Sequence, residues 1–203
     1  MLRPGFHLEP GMTVGLFGGS FDPAHPGHAH VAETARERLG LDRVIWLVSP
    51  QNPLKPRSAP LAARMASARS QAHGPSMIVS DIEQRIGAAY TIDTLRTLQA
   101  RFPGVRFVWI MGADNLASFH LWRGWTEILE RLPVAVIARP GSQLGSRFAP
   151  AARRFAHARR PARMARRLAR LEAPAWTLIE APLRPHSSSA LRAAAAVVEP
   201  ARP

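Results

Sequence analysis

Short apolar runs alternate with amphipathic stretches along nearly the whole chain. Runs rich in β-branched and aromatic residues predict six strands, at residues 12–18, 43–49, 77–83, 106–112, 133–139 and 175–181. Helical spacing of apolar residues predicts helices near residues 26–39, 60–73, 91–102, 114–130 and 147–171, with a last helix after Ser187. Strands that are apolar on both faces and alternate with helices are typical of a parallel sheet covered on both sides. The pattern therefore predicts an α/β protein with a Rossmann-like, doubly wound, mainly parallel sheet, whose ligands bind at the carboxyl ends of the strands.

Length and composition limit what such a chain can be. Its 203 residues are about the length of one domain, and a hydrophobic fraction of 46% is ample for a core, so we expect a single domain over 1–203 with a short tail at 193–203. The absence of cysteine excludes disulfides, thiolate metal ligands and a cysteine nucleophile. The sequence has neither an apolar run of ~20 residues nor an apolar leader, so we expect a soluble, cytoplasmic protein without a membrane partner.

The formal net charge of +13 is concentrated in one segment. Nine arginines and no acidic residue lie between Arg147 and Arg170, and we predict a basic helical insertion at 145–172, before the last strand. Pro161 interrupts its helical pattern, and four arginines beyond it fall on one helical face: Arg163, Arg166, Arg167 and Arg170. A solvated arginine face is the simpler interpretation. The alternative is a surface for nucleic acid or another anion, but no aromatic residue is interleaved with these four arginines.

The segment GLFGGSFDPAHPGHAH, residues 15–30, leaves the first predicted strand at Gly18 and Gly19 and enters a helix near Pro26. Glycine lets backbone amides approach a ligand, and proline suits the first helical turn. His25 and His28 then stand at a helix N-terminus, which attracts anions through its N–H groups and partial positive charge. The segment therefore predicts a phosphate-binding site without a Walker motif. A turn whose histidines only cap the helix is the structural alternative, and the spacing does not match an H-E-x-x-H zinc site.

A second phosphate contact is predicted near the other end of the chain. The segment RPHSSSALR, residues 184–192, follows the last predicted strand and opens an alanine-rich helix. Ser187, Ser188 and Ser189 can cap this helix and offer donors to an anion, and Arg192 extends from its first turn. A serine cap is more often structural when it stands alone. Paired with the histidine segment, it predicts a second side of one phosphate site.

Several sequence blocks carry a resemblance to a known family. They are GGSFDPAHPGH (18–28), SPQNPLK (49–55), AYTIDTL (89–95), MGADN (111–115), FHLWRGWTEI (119–128) and HSSSALR (186–192). Together they resemble the nucleotidyltransferase superfamily marked by (H/T)xGH after its first strand, and within it the nicotinate-nucleotide adenylyltransferases. The resemblance implies joining the adenylyl group of ATP to nicotinate mononucleotide, which gives deamido-NAD and pyrophosphate. The last block departs from the family's usual I-S-S-T-x-I-R at His186, Ser189 and Leu191 but keeps a hydroxyl and the arginine.

The resemblance also implies roles for individual residues. The implied catalytic contacts are His25, His28, Lys55 and Arg192. The implied ATP-binding residues are Gly18, Gly19, Ser20, Phe21, His25, His28, Gly112, Asp114, Ser188, Ser189 and Arg192. The implied mononucleotide-binding residues are Asn52, Lys55, Tyr90, Thr91, Trp122 and Arg123, with Trp122 stacking on the pyridine ring and Thr91 near its carboxylate. We expect Mg²⁺ to be carried mainly by the ATP phosphates, without a dedicated metal site in the protein.

Lys55 has support of its own, because it is the only lysine among 27 lysines and arginines. A compact ammonium suits a phosphate pocket that a planar guanidinium does not fit. Chance placement of a single lysine is the alternative.

Two other functions remain open from the sequence. Pantetheine-phosphate adenylyltransferases share the first block and the fold, but we expect those chains to be shorter and to lack the YTIDTL and LWRGW blocks. An RNA-binding module would use the arginine-rich segment and would leave both phosphate motifs unexplained. We therefore expect ATP and nicotinate mononucleotide as partners and no nucleic acid, and a homo-oligomer is compatible with the sequence.

Overall fold

Seven parallel strands form one sheet in the computed structural model of the chain, which describes residues 5–50, 58–138 and 149–181. The strands are β1 (Thr13–Gly19), β2 (Arg43–Val48), β3 (Met77–Ser80), β4 (Arg106–Gly112), β5 (Val134–Ala138), β6 (Arg159–Arg160) and β7 (Trp176–Glu180). Their order across the sheet is β3-β2-β1-β4-β5-β7-β6, and every pair is parallel. The predicted doubly wound α/β class is confirmed. The additional strand arises because Arg159 and Arg160 pair with Trp176 and Thr177.

Helices cover both faces of this sheet. The α-helices are α1 (Pro26–Leu39), α2 (Leu61–Gln71), α3 (Ile82–Arg85), α4 (Thr91–Arg101), α5 (Ala113–Ser118), α6 (Trp125–Arg131) and α7 (Pro150–Arg154). Three 3₁₀ helices complete the described part, at Phe119–Leu121, Ala156–Ala158 and Ala162–Arg170. None of the described helices is long and apolar enough to span a membrane. The helix predicted after Ser187 lies outside the described residues.

Side chains alternate between the two faces of the sheet and build a core on each. On β4, Trp109 and Met111 point into one core, whereas Val108 and Ile110 point into the other. The first core lies under α4, α5, α6 and α7. The second lies under α1, α2 and the 3₁₀ helix Ala162–Arg170. Burial on both faces explains why the strands appear in the sequence as nearly continuous apolar runs.

The connections of the sheet diverge at β1. The chain passes from β1 through α1 to β2 on one side, whereas β4 lies on the other side of β1. Gly19 pairs with Val48, and Phe17 pairs with Ile110, so the carboxyl ends of the three strands lie at the same edge. Ligands of open α/β sheets bind in the crevice at such a switch point. The segments that follow β1 and β4 therefore face one candidate binding site.

Two predicted elements end early. The strand predicted over 77–83 stops at Ser80, and Ile82–Arg85 forms a short helix instead. The continuous helix predicted over 114–130 is wrong, because an extended residue, Trp122, ends its first part. Gly124 then has a left-handed φ of +67°, from which α6 starts in a new direction.

The helical segment predicted over 147–171, with an interruption at Pro161, is divided further, because a strand, β6, lies within it. Pro161 lacks an N–H donor and disfavours helical geometry in the residue before it, so Arg160 is extended and joins the sheet instead. Ala162–Arg170 is a 3₁₀ helix that buries Ala165 and Leu168, one turn of three residues apart. The four arginines predicted to share a helical face, Arg163, Arg166, Arg167 and Arg170, are all exposed, but a 3₁₀ helix places them on two sides.

A buried carboxyl group lies beneath the start of α4. Glu83 on α3 is only 6% exposed, and its Oε1 accepts a hydrogen bond from the hydroxyl of Thr94 at 3.3 Å. Burial raises the pKa of Glu83 from an ordinary value of 4.5 to about 7, and the Thr94 hydrogen bond opposes this shift. The folded protein therefore binds this proton more tightly than the unfolded chain does. Its stabilising contribution is complete below about pH 4.5 and is lost as the pH rises through about 7.

We expect Glu83→Gln to reduce the loss of stability between about pH 4.5 and 8, by up to about 3 kcal/mol. The amide oxygen can still accept from Thr94, and the side chain no longer ionises. Urea unfolding at a series of pH values measures this difference. Glu130→Gln removes an exposed carboxylate and serves as the matched control. An identical pH dependence in the wild type and in Glu83→Gln would contradict the assignment.

Candidate active site

Two histidines cap the N-terminus of α1 reciprocally. His25 is the N-cap residue, with an extended φ of −148°, and its Nδ1 accepts a hydrogen bond from the N–H of Gly27 at 3.1 Å. His28 returns the interaction, because its Nδ1 accepts from the N–H of His25 at 3.2 Å. This is the geometry of a capping box with imidazoles in place of the usual hydroxyl and carboxylate. Because both rings accept at Nδ1, the neutral form of each carries its proton on Nε2.

This cap places two imidazole rings at the N-terminus of α1. The two imidazole rings lie 3.9 Å apart between centroids, His25 is buried, and His28 is half-buried. Each Nε2–H is a donor type suited to phosphate oxygens, and the positive end of the dipole of a 14-residue helix lies beside them. Capping uses only Nδ1 of each ring, so the structural interpretation and the phosphate-binding interpretation of the segment are compatible.

Phe21 lies in the turn between β1 and α1, and its buried ring packs against His28. Its backbone is left-handed, with a φ of +48°, which is unfavourable for a bulky side chain by about 1 to 3 kcal/mol. The ring is 2% exposed and meets the ring of His28 edge-on at 5.1 Å. Phe17 and Trp46 pack around the same ring at 5.4 and 5.1 Å. Aromatic packing thus holds the strained residue and supports His28.

Side-chain packing requires glycine at position 18 and leaves little room for a Cβ at position 19. A Cβ on Gly18 would collide with the indole of Trp109, and a Cβ on Gly19 would lie 3.0 Å from the ring of Phe21. The sequence suggested that these glycines let backbone amides approach a ligand. The structure supplies a second reason, which is the close approach of aromatic rings.

Asp114 lies at the end of the neighbouring strand β4, in the first turn of α5. Its side chain is exposed, and Oδ1 occupies the position that a Cβ on Gly112 would need. Gly112 has an ordinary φ of −72°, so its backbone does not require glycine, and the exposed Asp114 side chain can rotate away from a Cβ. The carboxylate of Asp114 therefore stands over the end of β4, next to the exit of β1.

The residues predicted to contact the mononucleotide are partly brought together. The guanidinium of Arg123 lies 4.7 Å above the ring centroid of Tyr90, which directly precedes α4. A Cβ on Gly124 would lie 3.3 Å from Ile92, so the start of α4, including Thr91, abuts the turn at 122–124. Tyr90, Thr91, Trp122 and Arg123 accordingly occupy one region of the surface.

Trp122 links this region to the end of β1 through Trp109. Its half-buried indole meets the ring of Trp109 at 6.2 Å and the ring of Phe119 at 5.4 Å, both edge to face. Trp109 in turn lies under Gly18. Trp109 therefore connects Trp122 with the end of β1.

Five predicted residues lie outside the described part of the chain: Asn52, Lys55, Ser188, Ser189 and Arg192. Their roles stay predictions. Within the described ranges, no group of three or more His, Asp or Glu side chains is placed to hold a metal ion.

The sequence analysis missed two residues at this site. Trp109 lies in a predicted strand and Arg64 in a predicted helix, and the sequence assigned a role to neither. The structure buries both, with Trp109 at 1% and Arg64 at 2% exposure. The apolar run of β4 indicated that Trp109 would be buried, whereas nothing in a single sequence distinguishes Arg64 from Arg69.

A histidine-capped helix at the switch point of a parallel sheet defines a nucleotide-binding α/β protein. Residues 16–194 match the family model described as cytidylyltransferase-like. A protein of Caulobacter sp. (strain K31) is 65% identical over 183 residues, which cover 89% of this chain and 97% of that protein. A protein of Roseobacter denitrificans is 52% identical over 193 residues, 94% of this chain and 97% of that protein. Both carry the name "Probable nicotinate-nucleotide adenylyltransferase".

Solved structures show the same fold. The Plasmodium falciparum nicotinic acid mononucleotide adenylyltransferase complexed with NaAD superposes with a TM-score of 0.69 at 16% identity, over 90% of this chain and 83% of that one. The chain therefore belongs to the cytidylyltransferase-like family and, within it, to the nicotinate-nucleotide adenylyltransferases. The resemblance seen in the sequence blocks is confirmed.

Proposed function

We propose that this protein transfers the adenylyl group of ATP to nicotinate mononucleotide. A phosphate oxygen of the mononucleotide attacks the α-phosphorus of ATP, and the bond to the bridging oxygen of the β-phosphate breaks. Pyrophosphate leaves with the electron pair, and the new P–O–P linkage gives deamido-NAD. The observation that carries this proposal is the reciprocal cap of His25 and His28 on α1, at the switch point of the sheet.

The chemistry needs positioning and charge stabilisation more than proton transfer. The attacking phosphate is already ionised at neutral pH, so a general base is not required. The two reactants are both anions, and the protein must hold them in line while negative charge builds on the leaving pyrophosphate. The Nε2–H donors of His25 and His28 and the N-terminus of α1 supply that stabilisation. Lys55, Ser188, Ser189 and Arg192 complete the phosphate contacts in this proposal.

ATP binds across the carboxyl ends of β1 and β4 in this proposal. The backbone of Gly18 to Phe21 lines one side, and Asp114 accepts hydrogen bonds from the ribose hydroxyls beside Gly112. The exposed carboxylate of Asp114 at the end of β4 supports this role. Mg²⁺ neutralises the phosphate charge when bound, and Mg²⁺ keeps few protein ligands in sites of this kind.

The nicotinate ring stacks on Trp122 in this proposal. Edge contacts from Trp109 and Phe119 fix the plane of this indole, which suits it to stack on a flat ring. The Thr91 hydroxyl and backbone N–H groups near Tyr90 and Arg123 receive the carboxylate, and Asn52 helps to hold the mononucleotide. The contact of Arg123 with Tyr90 supports this arrangement, because it brings positive charge next to the start of α4.

We expect ATP and Mg²⁺ to release pyrophosphate faster with nicotinate mononucleotide than with nicotinamide mononucleotide or phosphopantetheine. A coupled pyrophosphate assay with the three acceptors in parallel, and with no acceptor as the blank, tests this. Turnover with phosphopantetheine alone would identify a pantetheine-phosphate adenylyltransferase. Equal turnover with all three acceptors, or none, would contradict the proposed function.

We expect His28→Ala to lower kcat by ~10², because removal of one donor to developing charge costs ~3 kcal/mol. The same change removes a capping hydrogen bond, which is worth about 1 kcal/mol of stability. His28→Asn separates the two effects, since its side-chain oxygen can replace Nδ1 as the acceptor but offers no donor at the position of Nε2. Both variants should lose activity, and only His28→Ala should lose stability on urea unfolding. Normal turnover by His28→Asn would remove His28 from the mechanism.

We expect Thr91→Val to narrow the preference for the acid over the amide by ~10-fold or more. The change keeps the shape of the side chain and removes one donor to a charged group, worth roughly 1.5 to 3 kcal/mol. Binding of both mononucleotides, measured by calorimetry, gives the ratio. Thr97→Val is the matched control, because the Thr97 hydroxyl donates within α4 to the carbonyl of Asp93. Equal weakening of both ligands by Thr91→Val would show that the hydroxyl is structural.

A further inference from the structure

The guanidinium of Arg64, on the inner face of α2, binds four backbone carbonyls. Its Nε donates to the carbonyl of Ala59 at 2.8 Å. Nη1 donates to the carbonyls of Ser20 at 2.9 Å and Ser49 at 2.6 Å. Nη2 donates to the carbonyl of Pro50 at 2.7 Å. A fully charged fork with short bonds in several directions is a rigid connector.

These carbonyls belong to three separate segments at the edge where the site lies. Ser20 is the first residue after β1, and Ser49 is the first residue after β2. Ala59 lies two residues before α2. One side chain therefore ties the exit of β1, the exit of β2 and the approach to α2 together.

Arg64 is buried without a carboxylate within ion-pair distance among the described residues. Burial lowers the pKa of Arg64, and the more distant charge of Asp22 opposes this shift. A guanidinium stays protonated in proteins, so the buried charge depends on its carbonyl acceptors. Burying a cation is costly, and an apolar residue in its place would leave these four carbonyls without the donors that Arg64 supplies.

Ser67 lies one helical turn further along α2 and binds the other end of the loop Ser20–Ala24. Its Oγ accepts from the N–H of Ala24 at 2.9 Å and donates to the carbonyl of Ala24 at 3.3 Å. Ala24 directly precedes His25. Between Ser20 and Ala24 lies Phe21 with its left-handed backbone, a conformation that persists only where the surroundings impose it.

We propose that Arg64 and Ser67 are positioning residues that hold the loop Ser20–Ala24 and thereby set His25 and His28 for the transfer reaction. The proposal rests on the proposed function for its effect on rate. Its physical basis is that donors to developing charge act only when they are held within about 0.5 Å of the productive geometry. Neither side chain touches the substrates in this role, and both act through the backbone of the loop.

The test compares Arg64→Lys and Ser67→Ala with Arg69→Lys and Ser70→Ala, which change exposed residues of the same helix. An ammonium cannot satisfy the four carbonyls of Arg64 together. We expect kcat to fall at least 10-fold in Arg64→Lys and a few-fold in Ser67→Ala, with KM for either substrate changed less than 3-fold. The two exposed variants should match the wild type. Equal losses in kcat for the inner and exposed variants, or a change confined to KM, would overturn the proposal.

A second readout does not depend on activity. Hydrogen exchange of the peptide that spans residues 20–28, followed by mass spectrometry, should be faster in Arg64→Lys and Ser67→Ala and unchanged in the exposed variants. Unchanged exchange in Arg64→Lys and Ser67→Ala would overturn the proposal whether or not the wild type is active. An inactive wild type would contradict only the proposed function. Faster exchange with full kcat would show that the loop is held for stability and not for transfer.

Discussion

The parallel pairing of β1 with β2 on one side and β4 on the other is the constraint on which the site depends. Parallel register brings the carboxyl ends of these strands to one edge, at Gly19, Val48 and Gly112. The helices that follow β1 and β4 start at that edge, so their N-termini point toward the crevice. Residues far apart in the sequence, such as His28 and Asp114, come to lie at the same edge of the sheet for this reason.

The histidine cap connects local folding to chemistry at this edge. A helix start needs acceptors for its first N–H groups, and most proteins use hydroxyl or carboxylate side chains. A carboxylate would repel the phosphates that the helix dipole attracts. Imidazole accepts at Nδ1 without carrying a negative charge, so His25 and His28 stabilise the helix start and do not repel an anion there.

The sequence allowed the sheet and the histidine turn to be predicted, because both depend on local signals. Apolar runs marked five strands closely, and Pro26 after His25 marked the start of α1. β6 was not predictable, since two arginines carry no strand signal and Arg160 is extended because it precedes Pro161. The left-handed Phe21 and the burial of Arg64 depend on packing between distant segments. Motif resemblance therefore suggests residues that contact substrates, and gives no sign of residues whose burial depends on such packing.

At Gly18, the sequence motif and the packing seen in the structure give different reasons for glycine. A glycine at the end of the first strand suggests close approach of a ligand. The indole of Trp109 fills the space where a Cβ would lie, and the same indole meets Trp122 at its edge. Packing on the core side therefore forbids a larger residue whether or not a ligand is bound. A substitution at Gly18 displaces Trp109, and through it Trp122, so a defect in mononucleotide binding can arise at a residue proposed to contact only ATP.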